Sequence, residues 1–371
     1  MADAALIPIF LVTGFLGSGK TTLIRSLLGD GLGAETAVVV NEIGEIPIDH
    51  HLLSFVSEKV VVLPGGCVCC TVREDLEVAL RELGQARASG ACSAFKRVVI
   101  ETTGLADPTP VVATLKSNPE LSRIFFLHSV STAVDLVYGE RTIAAFPEAA
   151  KQVAIADQLI VTKCDLGDPD SRQRLEAQLR GINPGARLVA SAEHKARDLF
   201  FGAPSHDPPK NGVGVLNWLS GARACSSHAQ SHRHDGPKFQ TVSWTWDKPV
   251  DWTVFCVWLT MLLTAHGDKI VRVKGLLEVA NARGPIAIHG TQHSVDPPTH
   301  LERRADTPSG SRIVFIMHSL DPTTVVRSFN AFYNIEPNLS GLDRFIRPVG
   351  TGTTISGRPV RRPSAPAWVK G

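Results

Sequence analysis

Nine residues near the amino end, Gly14-Phe15-Leu16-Gly17-Ser18-Gly19-Lys20-Thr21-Thr22, have the types and spacing to hold a chain of phosphates. The run Gly14-x-x-x-x-Gly19-Lys20-Thr21 is the phosphate-loop pattern, and its context fits: an apolar strand leads in and an apolar helix leads out. Glycines let backbone N–H groups turn inward around phosphate oxygens, and the helix N-terminus adds its dipole. Lys20 is expected to reach the β- and γ-phosphates and Thr21 to give its hydroxyl to Mg²⁺. The nucleotide-binding set here is Gly14, Gly17, Ser18, Gly19, Lys20, Thr21 and Thr22. The bland alternative is an ordinary Gly-rich strand–helix turn.

Two further segments complete a nucleotide site. Val98-Val99-Ile100-Glu101-Thr102-Thr103-Gly104 is an apolar run ending in a carboxylate. Glu101 at a strand tip can hold Mg²⁺ together with Thr21, and Gly104 lets a backbone N–H approach the γ-phosphate. The candidate catalytic residues are therefore Lys20, Glu101 and Gly104. Thr162-Lys163-Cys164-Asp165 follows the apolar Leu159-Ile160-Val161. The Asp165 carboxylate can accept both hydrogen bonds from guanine N1–H and its amine, whereas adenine offers no such pair. The Lys163 stem can lie over the base. This resembles the guanine motif Asn-Lys-x-Asp with Thr162 in place of Asn, and Ser191-Ala192 is a second base contact to consider.

Between these segments lies Cys67-Val68-Cys69-Cys70. Cys67, Cys69 and Cys70 place three thiolates within one turn of chain, and soft sulfur selects Zn²⁺, Cu(I) or Co²⁺ over Mg²⁺. Structural zinc sites are usually closed by four protein ligands. No second cysteine pair lies nearby, so the site is open or completed from elsewhere, with Glu45 the candidate ligand and Glu42 the second. An incomplete shell suits transfer better than storage. The competing readings are redox-active thiols and buried structural cysteines. Cys92, Cys164, Cys225 and Cys256 are isolated and read as core or surface thiols. His228, His232 and His234 fall in a polar stretch and can capture metal only weakly. His289 and His293 read as structural or surface residues, and His50 and His51 have no argued role.

The elements that must position these groups are legible as a pattern. Short β-branched runs occur at Ile7–Thr13, Thr36–Asn41, Lys59–Leu63, Arg97–Glu101, Ile124–Val130, Leu159–Thr162 and Arg187–Ser191, with helical stretches at Thr22–Leu28, Arg73–Arg87 and Ser171–Arg180. Such alternation predicts an α/β domain with a mainly parallel sheet and helices on both faces. The chain then turns rich in Pro, Gly, Ser and His around one short helix at Val215–Leu219. Structure resumes with strands at Gln240–Trp246, Ile270–Val279, Ile286–His289 and Arg312–His318 and helices at Trp252–Ala265 and Thr323–Phe332, a small α+β domain. The expected division is a P-loop domain over 1–205, a linker over 206–237, an α+β domain over 238–346 and a disordered tail over 347–371.

The 371 residues include 43% hydrophobic and 20% charged, and the net charge is +2. No bulk electrostatic pull toward nucleic acid or an anionic membrane follows from that balance. The amino end lacks the basic region of a secretory signal, and the apolar runs are too short to span a bilayer. Seven cysteines in a long chain without such a signal point to the reducing cytoplasm.

Together, Gly14–Thr22, Asn41–Glu45, Cys67–Cys70, Glu101–Pro108 and Thr162–Asp165 resemble the CobW-type GTPases, relatives of the accessory GTPases UreG and HypB. Gly267–Leu277 and Ile288–His293 look like the CobW C-terminal domain. The resemblance runs from about Ile7 to Leu320. It implies a GTP-binding, slowly hydrolysing protein that delivers Zn²⁺ or Co²⁺ to client proteins or cofactor pathways, with Mg²⁺ as cofactor. A homodimer is compatible with it. Two departures stand out: Thr162 replaces the Asn of the general guanine motif, and Val40 stands where some relatives carry an acid before Asn41.

The coupling expected from this order of elements is simple. A γ-phosphate orders the loop at Asn41–Asp49 and the Gly104 turn, and the cysteine loop lies between them in the chain. Metal affinity then differs between the GTP and GDP states. Three other classes compete: a metal-buffering protein in which GTP is only structural or regulatory, an ATP-dependent kinase or ATPase, and a scaffold whose second domain does the main work.

Overall fold

The computed structural model describes residues 6–41, 60–63, 71–92, 94–201, 239–303 and 310–333. Glu42, Glu45, Cys67, Cys69 and Cys70, the 206–237 linker with its expected short helix, and the tail lie outside the described residues.

The amino-terminal part alternates strand and helix. In order come β1 (Ile7–Gly14), α1 (Lys20–Leu27), β2 (Thr36–Asn41), β3 (Val60–Leu63), α2 (Thr71–Ser89), β4 (Arg97–Glu101) and α3 (Thr109–Ser117). There follow β5 (Phe125–Asp135), α4 (Gly139–Ala145), α5 (Pro147–Ile155), β6 (Gln158–Thr162), α6 (Pro169–Ile182), β7 (Arg187–Ala190) and α7 (Ala196–Phe201). The strands form one seven-stranded sheet in the order β3-β2-β4-β1-β5-β6-β7, and every neighbouring pair is parallel. Parallel strands covered on both faces read as continuous apolar runs, which is why Ile9, Leu11, Val12, Val38, Val39, Val98 and Val99 are all fully buried.

One difference from the sequence expectation concerns this sheet. Strand β5 runs on past Val130 to Asp135. Ser131 and Thr132 are buried there rather than marking a strand end; Thr132 Oγ1 satisfies itself by donating 2.7 Å to the Gln152 carbonyl. Helices α3, α4, α5 and α7 lie between strands, in addition to the helices whose bounds are given above. They are short, and α5 buries residues all round (Ala149, Ala150, Gln152, Val153, Ala154, Ile155), so it shows no one-sided stripe.

The carboxyl-terminal part holds β8 (Phe239–Trp246), α8 (Trp252–His266), β9 (Ile270–Leu277), β10 (Ile286–Thr291), β11 (Ser294–Val295), β12 (Thr299–His300), β13 (Ser311–His318) and α9 (Pro322–Tyr333). Its sheet runs β11-β10-β9-β13-β8, with β12 on β10, and all pairs are antiparallel. Trp244 stacks on Phe315 at 5.6 Å and meets Trp258 of α8 and Phe329 of α9 edge-on. Both helices are therefore held on one face of the sheet by aromatic burial.

The two sheets are joined by a buried seam. Val271 and Ile316 belong to the same apolar cluster as Ala154 and Ile155 at the end of α5. Within the seam Asp157, Arg272 and Lys274 are each at most 3% exposed. Arg272 donates to the Ile155 carbonyl and to Asp157, Lys274 donates 3.1 Å to the same Asp157 oxygen, and the other oxygen accepts the Val130 N–H at 2.9 Å. Burial, then the adjacent Arg272 charge, push the Lys274 ammonium down to about 7 against the opposing pull of Asp157. Lys116 to Asp296, at 2.8 Å, ties α3 to the β10–β11 hairpin.

Candidate functional site

The phosphate loop follows β1 at the carboxyl edge of the parallel sheet, where ligands of such folds bind. Gly17 and Gly19 have φ of 70° and 89°, backbone that side chains rarely adopt, and Gly19 caps α1 in that conformation. Lys20 is buried and donates to the carbonyls of Gly14 (2.9 Å) and Phe15 (3.2 Å), so its ammonium lies inside the loop.

Strand β4 lies next to β1, and this brings Glu101 to α1. Thr21 Oγ1 donates to Glu101 Oε1 at 2.9 Å across 80 residues of sequence. The pair presents a hydroxyl and a buried carboxylate, hard oxygen donors of the kind Mg²⁺ selects, so the residues present fit that ion. The chain then turns at Gly104 against the loop. A methyl group at Gly104 would lie 2.6 Å from Leu16 N and 2.8 Å from Leu16 Cα. Gln152 of α5 holds the far side of this turn, its Nε2 donating to the carbonyls of Gly104 (3.1 Å) and Ala106 (3.0 Å).

At the other end, β6 delivers Thr162, Lys163 and Asp165. Thr162 Oγ1 donates 2.7 Å to the Ser18 carbonyl, binding the strand tip to the phosphate loop. A threonine here thus keeps a hydrogen-bonded link between the two motifs. Lys163 has φ 55°, a left-handed backbone that is strained for a side chain of its size. Its ammonium is held 2.7 Å from Asp135 Oδ2, while Asp135 Oδ1 accepts the Val137 N–H at 2.8 Å. Asp165 stands exposed. The turn at Ser191–Glu193 is tied to α6 by Arg172, which bonds Glu193 at 2.7 Å and Glu176 at 2.9 Å.

A cavity of about 340 Å³ opens beside the loop between Leu16, Gly17 and Ser18 on one side and Tyr138, Gln152 and Val153 on the other. Ser18 Oγ and Gln152 Oε1 are buried at this cavity with no hydrogen-bond partner among the described residues.

The structure thus draws Lys20, Thr21, Glu101 and Gly104 into one cluster and sets Thr162 and Lys163 against the loop. Sequence reasoning missed Asp135 and Gln152. Asp135 ends an interior strand, the same signal that singled out Glu101; Gln152 has no local signal, since its role depends on a turn 48 residues away. Among the described residues no group of three His, Cys, Asp or Glu could hold a metal ion. His293 is engaged within its own domain, with Leu263 O at 2.8 Å and Asp268 at 3.1 Å. Burial raises the thiol pKa values of Cys164 and Cys256, which suits inert thiols. No helix among the described residues is long and apolar enough to cross a membrane.

Residues 8–190 match the family model described as CobW/HypB/UreG, nucleotide-binding domain, and residues 239–333 match the cobalamin synthesis protein cobW C-terminal domain. The chain is 31% identical over 288 residues to the zinc chaperone YjiA of Escherichia coli, covering 77% of this chain and 86% of the relative. It is 29% identical over 359 residues to the zinc chaperone CobW of Pseudomonas aeruginosa, covering 88% and 91%. The crystal structure of Zn(II)-bound YjiA GTPase from E. coli shares the fold, with a TM-score of 0.61 at 23% identity over 89% of this chain and 99% of that one. The chain accordingly belongs to the CobW/HypB/UreG family and carries the CobW C-terminal domain beside its nucleotide-binding domain.

Proposed function

We propose that this protein is a GTP-hydrolysing metallochaperone that takes Zn²⁺ or Co²⁺ on Cys67, Cys69 and Cys70, with Glu45 as a further ligand, and passes it to client proteins under nucleotide control. The division of labour is a GTPase domain over 1–205 and a C-terminal domain over 238–346, in the cytoplasm. The observation that carries the reading is the meeting of Thr21 Oγ1 and Glu101 Oε1 at 2.9 Å beside a buried Lys20. Relatives named as zinc chaperones support the cargo.

In this reading the loop N–H groups from Gly14 to Thr22 cradle the phosphates, and Lys20 turns from its carbonyl partners to the β- and γ-oxygens. Thr21 and Glu101 would hold Mg²⁺, which would supply positive charge to those oxygens. Gly104 presents its N–H to the γ-phosphate. Thr162 holds the base-binding strand to the loop, Lys163 covers the base and Asp165 reads guanine. Water attacks the γ-phosphorus and GDP and phosphate leave. Turnover is slow until a partner completes the site.

Zn²⁺ competition with a chelating dye, on protein loaded with GDP or a non-hydrolysable GTP analogue, tests the coupling. The expected result is a different Zn²⁺ affinity in the two loads, lost in Cys69→Ser. Equal affinities would sink it. Full client metallation by Lys20→Ala in cells would point instead to a metal buffer.

A further inference from the structure

Helix α5 is gripped at its middle and at its carboxyl end by groups that no motif predicts. Toward the nucleotide side, Lys151 Nζ bonds Asp107 Oδ2 at 2.9 Å, and Gln152 Nε2 bonds the carbonyls of Gly104 and Ala106. Two successive helical residues thus hold the segment that follows Glu101. At its carboxyl end the helix leaves carbonyls that its own N–H groups cannot reach. Asn183 Nδ2 donates to Val153 O (2.9 Å), Ala154 O (3.1 Å) and Ala156 O (2.9 Å). The remaining carbonyl, of Ile155, is taken by Arg272 of β9 from the second domain. Arg272 and Lys274 also hold Asp157, two residues further on.

We propose that α5 is the link by which the γ-phosphate turn moves the C-terminal domain, with Gln152 positioning Gly104 and Arg272 anchoring the helix across the domain seam. The proposal rests on the GTP reading above. In that reading a γ-phosphate draws the Gly104 N–H toward itself. The Gly104 carbonyl is held by Gln152, so the turn shifts either by breaking both amide bonds or by taking the helix with it. Breaking them leaves two carbonyls without a partner inside the protein, so the turn and the helix are coupled through Gln152. The helix borders open space on one side: Gln152 and Val153 line the cavity together with Leu16, Gly17 and Ser18. At the far end Ile155 O and the apolar contact of Ala154 and Ile155 with Val271 pass the displacement to β9. The path is a short, continuous series of contacts from Gly104 through Gln152 and Ile155 to β9.

Hydrogen exchange on the full chain, loaded with GDP or with a non-hydrolysable GTP analogue, tests this. Amides of α5 and β9 are expected to exchange at rates differing by about fivefold or more between the two loads. Gln152→Met, similar in volume but lacking the donor, is expected to abolish the β9 difference and to lower the ratio of analogue to GDP affinity about fivefold or more. Arg272→Met, remote from the nucleotide, should lower the same ratio while GDP affinity stays within about twofold; Arg272→Lys, which keeps the charge, serves if the first variant fails to fold and should restore part of the ratio. Equal loss of both affinities in these variants, or identical β9 exchange in a wild type that still discriminates the two nucleotides, overturns the link alone. A wild type that binds neither guanine nucleotide overturns the functional reading and the link with it.

Discussion

Lys20 and Lys163 sit at opposite ends of the candidate nucleotide site and are held in opposite ways. Lys20 is buried and donates to carbonyls of its own loop, Gly14 and Phe15. Around it Thr21 is bonded to Glu101, and Gly104 lies against Leu16. The groups that would meet phosphate and Mg²⁺ are bonded to one another, so a ligand there must displace existing contacts. Lys163 instead is fixed from outside, by Asp135 and by a left-handed backbone, and Thr162 is fastened to Ser18. The base end is set before a ligand arrives. Under the proposed function, the contrast makes the phosphate end the place where nucleotide state changes structure and the base end a constant reference.

Four substitutions or conditions can break or sharpen that contrast. Lys20→Ala should have the largest effect, lowering kcat/KM for GTP roughly a hundredfold or more in a phosphate-release assay, since it removes charge aimed at the transferring group. Asp165→Asn should weaken GTP by roughly thirtyfold, about 2 kcal/mol, while sparing xanthosine triphosphate, in a calorimetric titration. Asp135→Ala should weaken GTP and GDP alike by roughly fivefold, about 1 kcal/mol, because the freed Lys163 stem is no longer set. A selective loss of GTP there would erase the distinction between the two ends.

The smallest effect lies in the seam. Lys274 has a folded pKa near 7, against the ordinary lysine value of 10.5. Between those values the unfolded chain holds the proton that the folded chain sheds, so this group makes stability rise with pH across that window, with the benefit gone once pH falls below about 7. Urea denaturation at two pH values in that range should show the wild type gaining on Lys274→Met as pH rises. A constant difference would place the ammonium charged throughout.

Legibility followed the range of the interaction. The phosphate loop, Glu101 and Thr162–Asp165 are written in contiguous residues beside apolar runs, and the strands expected at Thr36–Asn41 and Arg97–Glu101 are the strands observed. The helix expected at Trp252–Ala265 is α8, one residue longer. Helix α5 gives a weak signal because it is short and only Pro147, Glu148 and Lys151 reach its surface. Asp157, Arg272 and Lys274 were silent: each is an ordinary charged residue until folding brings positions 115 to 117 residues apart into one buried group. The three cysteines and Glu45 were legible as chemistry, and they fall outside the described residues.

Gly104 carries one consequence of its own. The atoms that a methyl group there would strike are Leu16 N and Cα as well as the Leu16 side chain. Backbone cannot swing aside as a rotamer does, so alanine at this position would act as a doorstop, wedging the Gly104 turn away from the loop at Leu16. Such a chain would be jammed at one point of its cycle, and that point could be isolated and studied.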